Sequence, residues 1–297
     1  MNLSYRELWA INKIFEYFGN IFSSFSLKGF FSSVMAIIEL LQMLIFSYPT
    51  TPRGPQLDLT GYEVAFVDEF EAESLDLSVW DIRGNGPRRG GYNASSQVSV
   101  RNGNLVLTGE YLENGEYGDG WYAAAVKLKE RYKEGYFEIK CICNDAPVFW
   151  SAFWIQADAP YTAEISKGGI GGAEIDIIET IGHGEKNSHN SVTHTIHCAG
   201  VDGEPEGFQS ANLGKFYGNN IYKEYNTYGM MWNEDEYIFY VNGVETVRSS
   251  FGNGTSQVEE DVIVSLEFPD EEKLSTLDKE TYKTEFIVDY VKIYQKK

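Results

Sequence analysis

Cysteine, proline, histidine and positive charge are all scarce in this chain. Its 297 residues include 3 Cys, 8 Pro and 4 His. Cys141, Cys143 and Cys198 are too few for the disulfide framework of a small secreted scaffold. Cys141 and Cys143 lie two apart in an extended pattern, on one face, a poor arrangement for a bridge. There is no CxxC and no Cys/His zinc spacing, so all three read as buried free thiols. Lys and Arg total 24 against 44 Asp and Glu, a net charge of −20. Such a surface repels phosphate backbones and anionic headgroups, which argues against a nucleic-acid partner. It also disfavours a heavily sulfated substrate, unless a local basic patch overrides the global sign. With 43% hydrophobic and 23% charged residues, disordered, collagenous and coiled-coil classes are excluded.

Aromatic residues and glycine are abundant instead. There are 20 Tyr, 18 Phe, 6 Trp and 29 Gly, which favours strands and turns over a helical bundle. Residues 1–48 stand apart. Leu8, Ile11, Phe15, Phe18, Phe22 and Phe25 recur at helical steps. A second apolar stretch runs from Gly29 to Tyr48 but contains Glu39 and Gln42. A Glu at the centre of a spanning helix costs about 2–3 kcal/mol. Phe46-Ser47-Tyr48 is also a poor cleavage site. Three readings stay open: a membrane anchor or atypical export signal, an amphipathic helical appendage, or a true start further down. Pro49, Pro52 and Pro55 make residues 49–60 an expected linker. The main domain is then 61–297, expected to be monomeric. Export or membrane anchoring through residues 1–48 is the favoured location, while free thiols leave a cytoplasmic one open.

From Tyr62 on, the pattern is strand after strand. Gln97–Val100, Glu134–Cys143 and Tyr237–Val241 alternate, and Asn102-Gly103 and Asn242-Gly243 carry the two-residue hairpin signal. This reads as a β-sandwich or barrel.

The segment with chemistry is Glu174-Ile175-Asp176-Ile177-Ile178-Glu179. In a regular strand Glu174 and Asp176 face one side and Glu179 the other. One extra residue, a β-bulge, returns Glu179 to their face. Ile175 and one of Ile177 and Ile178 then enter the core. Like charges held together raise at least one pKa, and separated carboxylate pKa values are what glycoside hydrolysis uses. A solvent-facing acidic strand or a Ca²⁺ site would use the same residues. Upstream, Val148–Gln156 carries Trp150 and Trp154, four apart and on one face. With Trp121 they are the candidate sugar-contacting tryptophans. Downstream, Ser191–Cys198 puts His194 and His197 on opposite faces, and a His beside the acidic row could hydrogen-bond sugar or carboxylate.

At this point the chain resembles glycoside hydrolase family 16. The resemblance runs over about residues 62–297. It rests on Phe66–Phe70 with Ser74–Trp80, Asn102–Leu105, Phe149–Trp154, the acidic motif, Tyr228–Trp232 with Tyr240–Gly243, and Val288–Tyr294, in family order. It implies a jelly-roll sandwich of two curved antiparallel sheets with a cleft on the concave face. It implies Glu174 as nucleophile, Glu179 as general acid/base and Asp176 as their charge-tuning neighbour. His197 would sit near the cleaved bond. The six-residue motif is similar to that of laminarinases, agarases and carrageenases. Glu267, where laminarinases keep an apolar strand, would meet sugar hydroxyls as in agarase-like members. No cofactor is implied for catalysis. A structural Ca²⁺ on Glu69, the Gly103 carbonyl and Asp289 is implied by the resemblance. The expected activity is a retaining endo-β-glycanase on β-1,3- or mixed β-1,3/1,4-glucan. An agarase-like galactan hydrolase and a non-catalytic carbohydrate-binding module are the alternatives.

Overall fold

A computed structural model describes residues 48–185, 188–203 and 208–297. The appendage expected over residues 1–48 lies, apart from Tyr48, outside the described residues. Among those described, no helix is long and apolar enough to cross a membrane.

The unit Pro49–Lys297 is a β-sandwich. Its strands in chain order are β1 Tyr62–Asp68, β2 Trp80–Ile82, β3 Gly86–Arg88, β4 Gly91–Asn93, β5 Val98–Val100 and β6 Leu105–Gly115. Then come β7 Gly118–Ala123, β8 Ala125–Leu128, β9 Gly135–Ile142, β10 Trp150–Gln156, β11 Glu174–Glu179 and β12 Ser191–Ala199. The last are β13 Phe208–Tyr217, β14 Asn226–Trp232, β15 Tyr237–Val241, β16 Val244–Ser249, β17 Asp261–Glu267 and β18 Lys283–Lys296.

One sheet has the order β13-β12-β11-β10-β17-β8-β2. The other has the order β16-β15-β14-β9-β18-β6-β7-β4-β3, with β1 added on β18 and β5 on β6. Among these strands, β4 with β7 is the one parallel pair. The alternation of β9 and β18 sends Phe137, Ile139, Phe286, Val288, Val291 and Ile293 inward. They meet Phe153, Ile155, Ile175, Val262 and Val264 of the opposite sheet in one continuous core. Each such side chain contributes about 1.5–3 kcal/mol by leaving water.

The strands β10, β11 and β17 are buried on both faces. Phe153 and Ile155 enter the main core, while Trp150, Ala152 and Trp154 join Ile263 in a separate cluster on the other face. That second face carries the site.

Both Asn-Gly turns form as the sequence signals. Asn102 and Gly103 have φ of 53° and 69°, and Asn242 and Gly243 have 50° and 73°. These left-handed values suit the twist of a two-residue hairpin. Residues 49–60 differ from a free tether. Thr50 exchanges backbone bonds with Lys215 and Tyr217 at the edge of β13. Gly54, Pro55 and Leu57 bond Glu245 and Gly243 of the β15–β16 hairpin. Exposed strand edges attract such cover.

Candidate active site

The central strand β11 is bulged as its sequence demands. Phe153 of β10 pairs with Ile178, but the next residue, Trp154, pairs with Asp176. Ile177 is therefore the extra residue, and the ladder to β12 skips at the same place. Ile175, Ile177 and Ile178 are all fully buried. The expectation that only one of Ile177 and Ile178 is buried is corrected, because the bulge lets two consecutive aliphatics turn inward. The unladdered Ile177 carbonyl accepts from His194 Nδ1 at 2.6 Å. His194 is buried between Phe216 and Phe239, and burial lowers its pKa to about 4, so it is neutral.

The bulge puts Glu174, Asp176 and Glu179 along one cleft of about 300 Å³. Glu174 Oε2 accepts from Gln156 Nε2 and from the Tyr161 hydroxyl. Asp176 is 4% exposed, and His197 Nε2 lies 3.0 Å from its Oδ2. His197 Nδ1 contacts Ser210 Oγ at 2.6 Å, and its ring stacks on Phe208. Burial, then the charges of Glu174 and Glu267, hold Asp176 well above the usual carboxylate range. Burial also pushes Glu179 up, with Asp176 second, against the Trp150 indole that donates to Glu179 Oε1 at 2.9 Å. His197 is pushed down by burial.

The cleft also holds cations. Arg83, Arg88 and Arg89 line the same cleft, with Glu267 among them. Arg88 holds Glu267 at 2.6 Å, yet Glu267 Oε1 is buried and finds no partner among the described residues. Arg83 donates to Gln156 Oε1 at 2.9 Å and lies 4.6 Å over the Trp154 ring. Burial lowers its pKa. Sequence reading did not find these arginines, nor Tyr161. The one signal was Arg83-Gly-Asn-Gly-Pro-Arg88-Arg89-Gly-Gly, three arginines in seven residues of a strongly acidic chain.

Among the predicted sugar contacts, Trp154 and Glu267 line the cleft. Trp150 belongs to the same aromatic cluster but is not a lining residue. Trp121 is not a cleft residue. It is 5% exposed in the main core, edge-on to Tyr111, Phe149 and Tyr282. Alternation along β7 turns it inward.

Two of the three expected calcium donors have lysine partners. Asp289 pairs with Lys140 and Glu69 with Lys292, each at 2.8 Å. Calcium needs six or more oxygens, with its carboxylates free to bind. Among the described residues, the one cluster of three His, Cys, Asp or Glu close enough to share an ion is Glu174, Asp176 and His197, within the acidic row.

A two-sheet sandwich with a bulged ExDxxE strand at the floor of a cleft defines a class of polysaccharide-processing proteins. The chain belongs to glycoside hydrolase family 16: the family model "Beta-porphyranase A-D, GH16 domain" matches residues 63–296. It is 27% identical over 198 residues to β-porphyranase B of Zobellia galactanivorans, covering 59% of this chain and 64% of that protein. It is 26% identical over 220 residues to glucan endo-1,3-β-glucosidase A1 of Niallia circulans, covering 65% and 30%. It is 26% identical over 214 residues to a keratan-sulfate endo-1,4-β-galactosidase of Sphingobacterium multivorum, covering 67% and 46%. The chain thus spans less than two thirds of the length of these relatives. In fold it is similar to SCLam, a non-specific endo-β-1,3(4)-glucanase, with TM-score 0.65, 19% identity, and 84% and 97% of the two chains covered.

Proposed function

We propose that the chain is a retaining endo-β-glycanase whose polymer is an anionic, sulfate-bearing galactan. The observation that carries this is one cleft with the acidic row on its floor and three arginines on its wall. In this reading Glu174 attacks the anomeric carbon and Glu179 protonates the departing glycosidic oxygen. Glu179 then takes a proton from a water whose oxygen bonds the anomeric carbon, and the bond from that carbon to Glu174 breaks. The raised pKa of Glu179 suits an acid, and the donors on Glu174 Oε2 suit a fixed nucleophile. Asp176 lies between them in the strand, where burial and the charges of Glu174 and Glu267 favour its protonated form.

The wall supports the substrate class. Arginine forks match the oxygens of an oxyanion in pairs, as with phosphate and carboxylate. This is the local patch that overrides a net charge of −20. Similarity to a porphyranase and to a keratan-sulfate endo-galactosidase points the same way. The glucan expected from the motif is the second reading, favoured by the likeness to an endo-1,3-β-glucosidase.

Reducing ends should be measured on porphyran, keratan sulfate, agarose, carrageenan, laminarin and lichenan. Cleavage of a sulfated galactan, lost on its chemical desulfation, is expected. Cleavage of laminarin or lichenan alone overturns the substrate class. Cleavage of none overturns the activity.

A further inference from the structure

The tryptophan Trp150 touches two residues that line the cleft, Glu179 and Arg89, and is itself 9% exposed. One face of its ring is covered by the Arg89 guanidinium, 4.9 Å from the centroid. Its indole N–H points to Glu179 Oε1 at 2.9 Å.

The fold takes trouble to put Arg89 there. Arg89 has a left-handed backbone, φ 46°, at the tip of the β3–β4 hairpin. The next two residues are glycines with no room for a side chain. A Cβ on Gly90 would come 2.4 Å from the Glu271 amide nitrogen, and one on Gly91 2.3 Å from the Trp121 carbonyl oxygen. The hairpin is thus pressed onto neighbouring backbone. Arg89 also donates to the Phe268 carbonyl at 3.4 Å and lies 3.9 Å from Glu267.

We propose that Trp150 is a positioning residue for the acid/base, its indole N–H polarised by Arg89 and aimed at one oxygen of Glu179. This rests on the reading of Glu179 as acid/base. The physical case is differential. An N–H donor bonds an ionised carboxylate more strongly than a protonated one. A cation on the indole face draws electron density from the ring and strengthens that donor. Glu179 becomes ionised as it gives its proton to the leaving oxygen. The Trp150 bond therefore tightens as that transfer proceeds, which is the direction that lowers a barrier.

Trp150 works against the other groups around Glu179. Asp176 and Glu174 on β11 oppose ionisation. Glu267 on β17 adds negative charge to the cleft, while His197 on β12 and the arginines Arg83, Arg88 and Arg89 offset it. Among the described residues, Trp150 is the one that touches the carboxyl through a directed hydrogen bond.

The test uses full-length protein labelled with ¹⁵N at tryptophan indoles. Trp150→Phe, or Trp150→Tyr should the first not fold, assigns its N–H signal by loss. That signal should move with pH through a single midpoint. Glu179→Gln should abolish the movement, and Arg89→Gln should weaken the bond and raise the midpoint. On the polymer the wild type cuts, Trp150→Phe should move the alkaline limb of kcat/KM up by about one pH unit. It should lower kcat about tenfold and leave KM nearly unchanged. A merely structural role would leave the pH limb in place. A Trp150 signal that ignores pH, or that still titrates in Glu179→Gln, overturns the proposal. The indole titration needs no substrate, so a chain that cuts no polymer would refute the activity and leave this reading to its own result.

Discussion

At the scale of single residues, the two carboxylates at the ends of β11 are alike in type and opposite in assigned role. Glu174 is gripped by Gln156 and Tyr161, and Glu179 by Trp150. If Glu174 is the nucleophile, Glu174→Ala should abolish both steps of the reaction. Glu179→Ala should retain the first step on an aryl glycoside with a good leaving group, because little protonation is needed there. Added azide should then rescue Glu179→Ala by trapping the glycosyl intermediate, with a product of retained configuration. On polymer Glu179→Ala should lose on the order of 10²–10⁴ in kcat. Equal, unrescued losses in both would reverse or remove the assignment. The acidic row was legible because its signal is local: three carboxylates among β-branched residues demand a bulge. The arginine wall was not. Arg83, Arg88 and Arg89 lie about ninety positions from the motif, and only the sheet order brings them over it. Trp121 misled for the same reason, since nothing local tells which face of β7 meets the core.

At the scale of elements, the bulge depends on a residue from the neighbouring strand. His194 of β12 donates to the Ile177 carbonyl and contacts Thr246 Oγ1 at 3.1 Å with its other nitrogen. His194→Phe keeps the stacking but orphans a buried carbonyl, at a cost of about 1–3 kcal/mol. Its melting temperature and kcat should both fall, whereas His194→Gln, which keeps a donor, should fall less. Equal behaviour of the two would mean that the ring, not the bond, matters. A second tie runs to the start of the same strand. Glu260, next to β17, accepts from the Ala173 N–H at 3.0 Å, and its other oxygen has no partner among the described residues. Burial raises its pKa from 4.5 to about 8, against bonds from Ser256 and Ala173. The folded state therefore holds this proton more tightly than the unfolded chain. Its stabilisation is fully present below about pH 4.5 and is lost as pH rises through about 8. Glu260→Gln keeps an acceptor and cannot ionise. The melting temperature of the wild type should fall relative to Glu260→Gln across that window. Parallel curves would show that Glu260 does not titrate there.

At the scale of the whole molecule, two charge patterns of opposite sign act over different distances. The chain carries −20, while the cleft wall presents Arg83, Arg88 and Arg89. The global charge acts through solvent and is screened over about 10 Å at 0.1 M salt and 30 Å at 0.01 M. A guanidinium against a sulfate acts by direct contact in a half-buried cleft, where screening is weaker. For an anionic polymer the approach is therefore opposed by a term that salt removes early, and the grip by a term that salt removes late. KM for a sulfated galactan should first fall as salt rises from about 10 mM to about 150 mM, then climb toward 1 M. A neutral polymer should show a nearly flat KM over the same range. Arg83→Ala should weaken the late climb while preserving the early fall, because one charge in the cleft barely changes the long-range field. A KM that only rises with salt would mean that the arginines govern approach as well as grip. A flat KM on the polymer the protein cuts would mean that the wall does not meet an anion, and the wall would then serve only to hold Glu267, Gln156 and the two tryptophans in place.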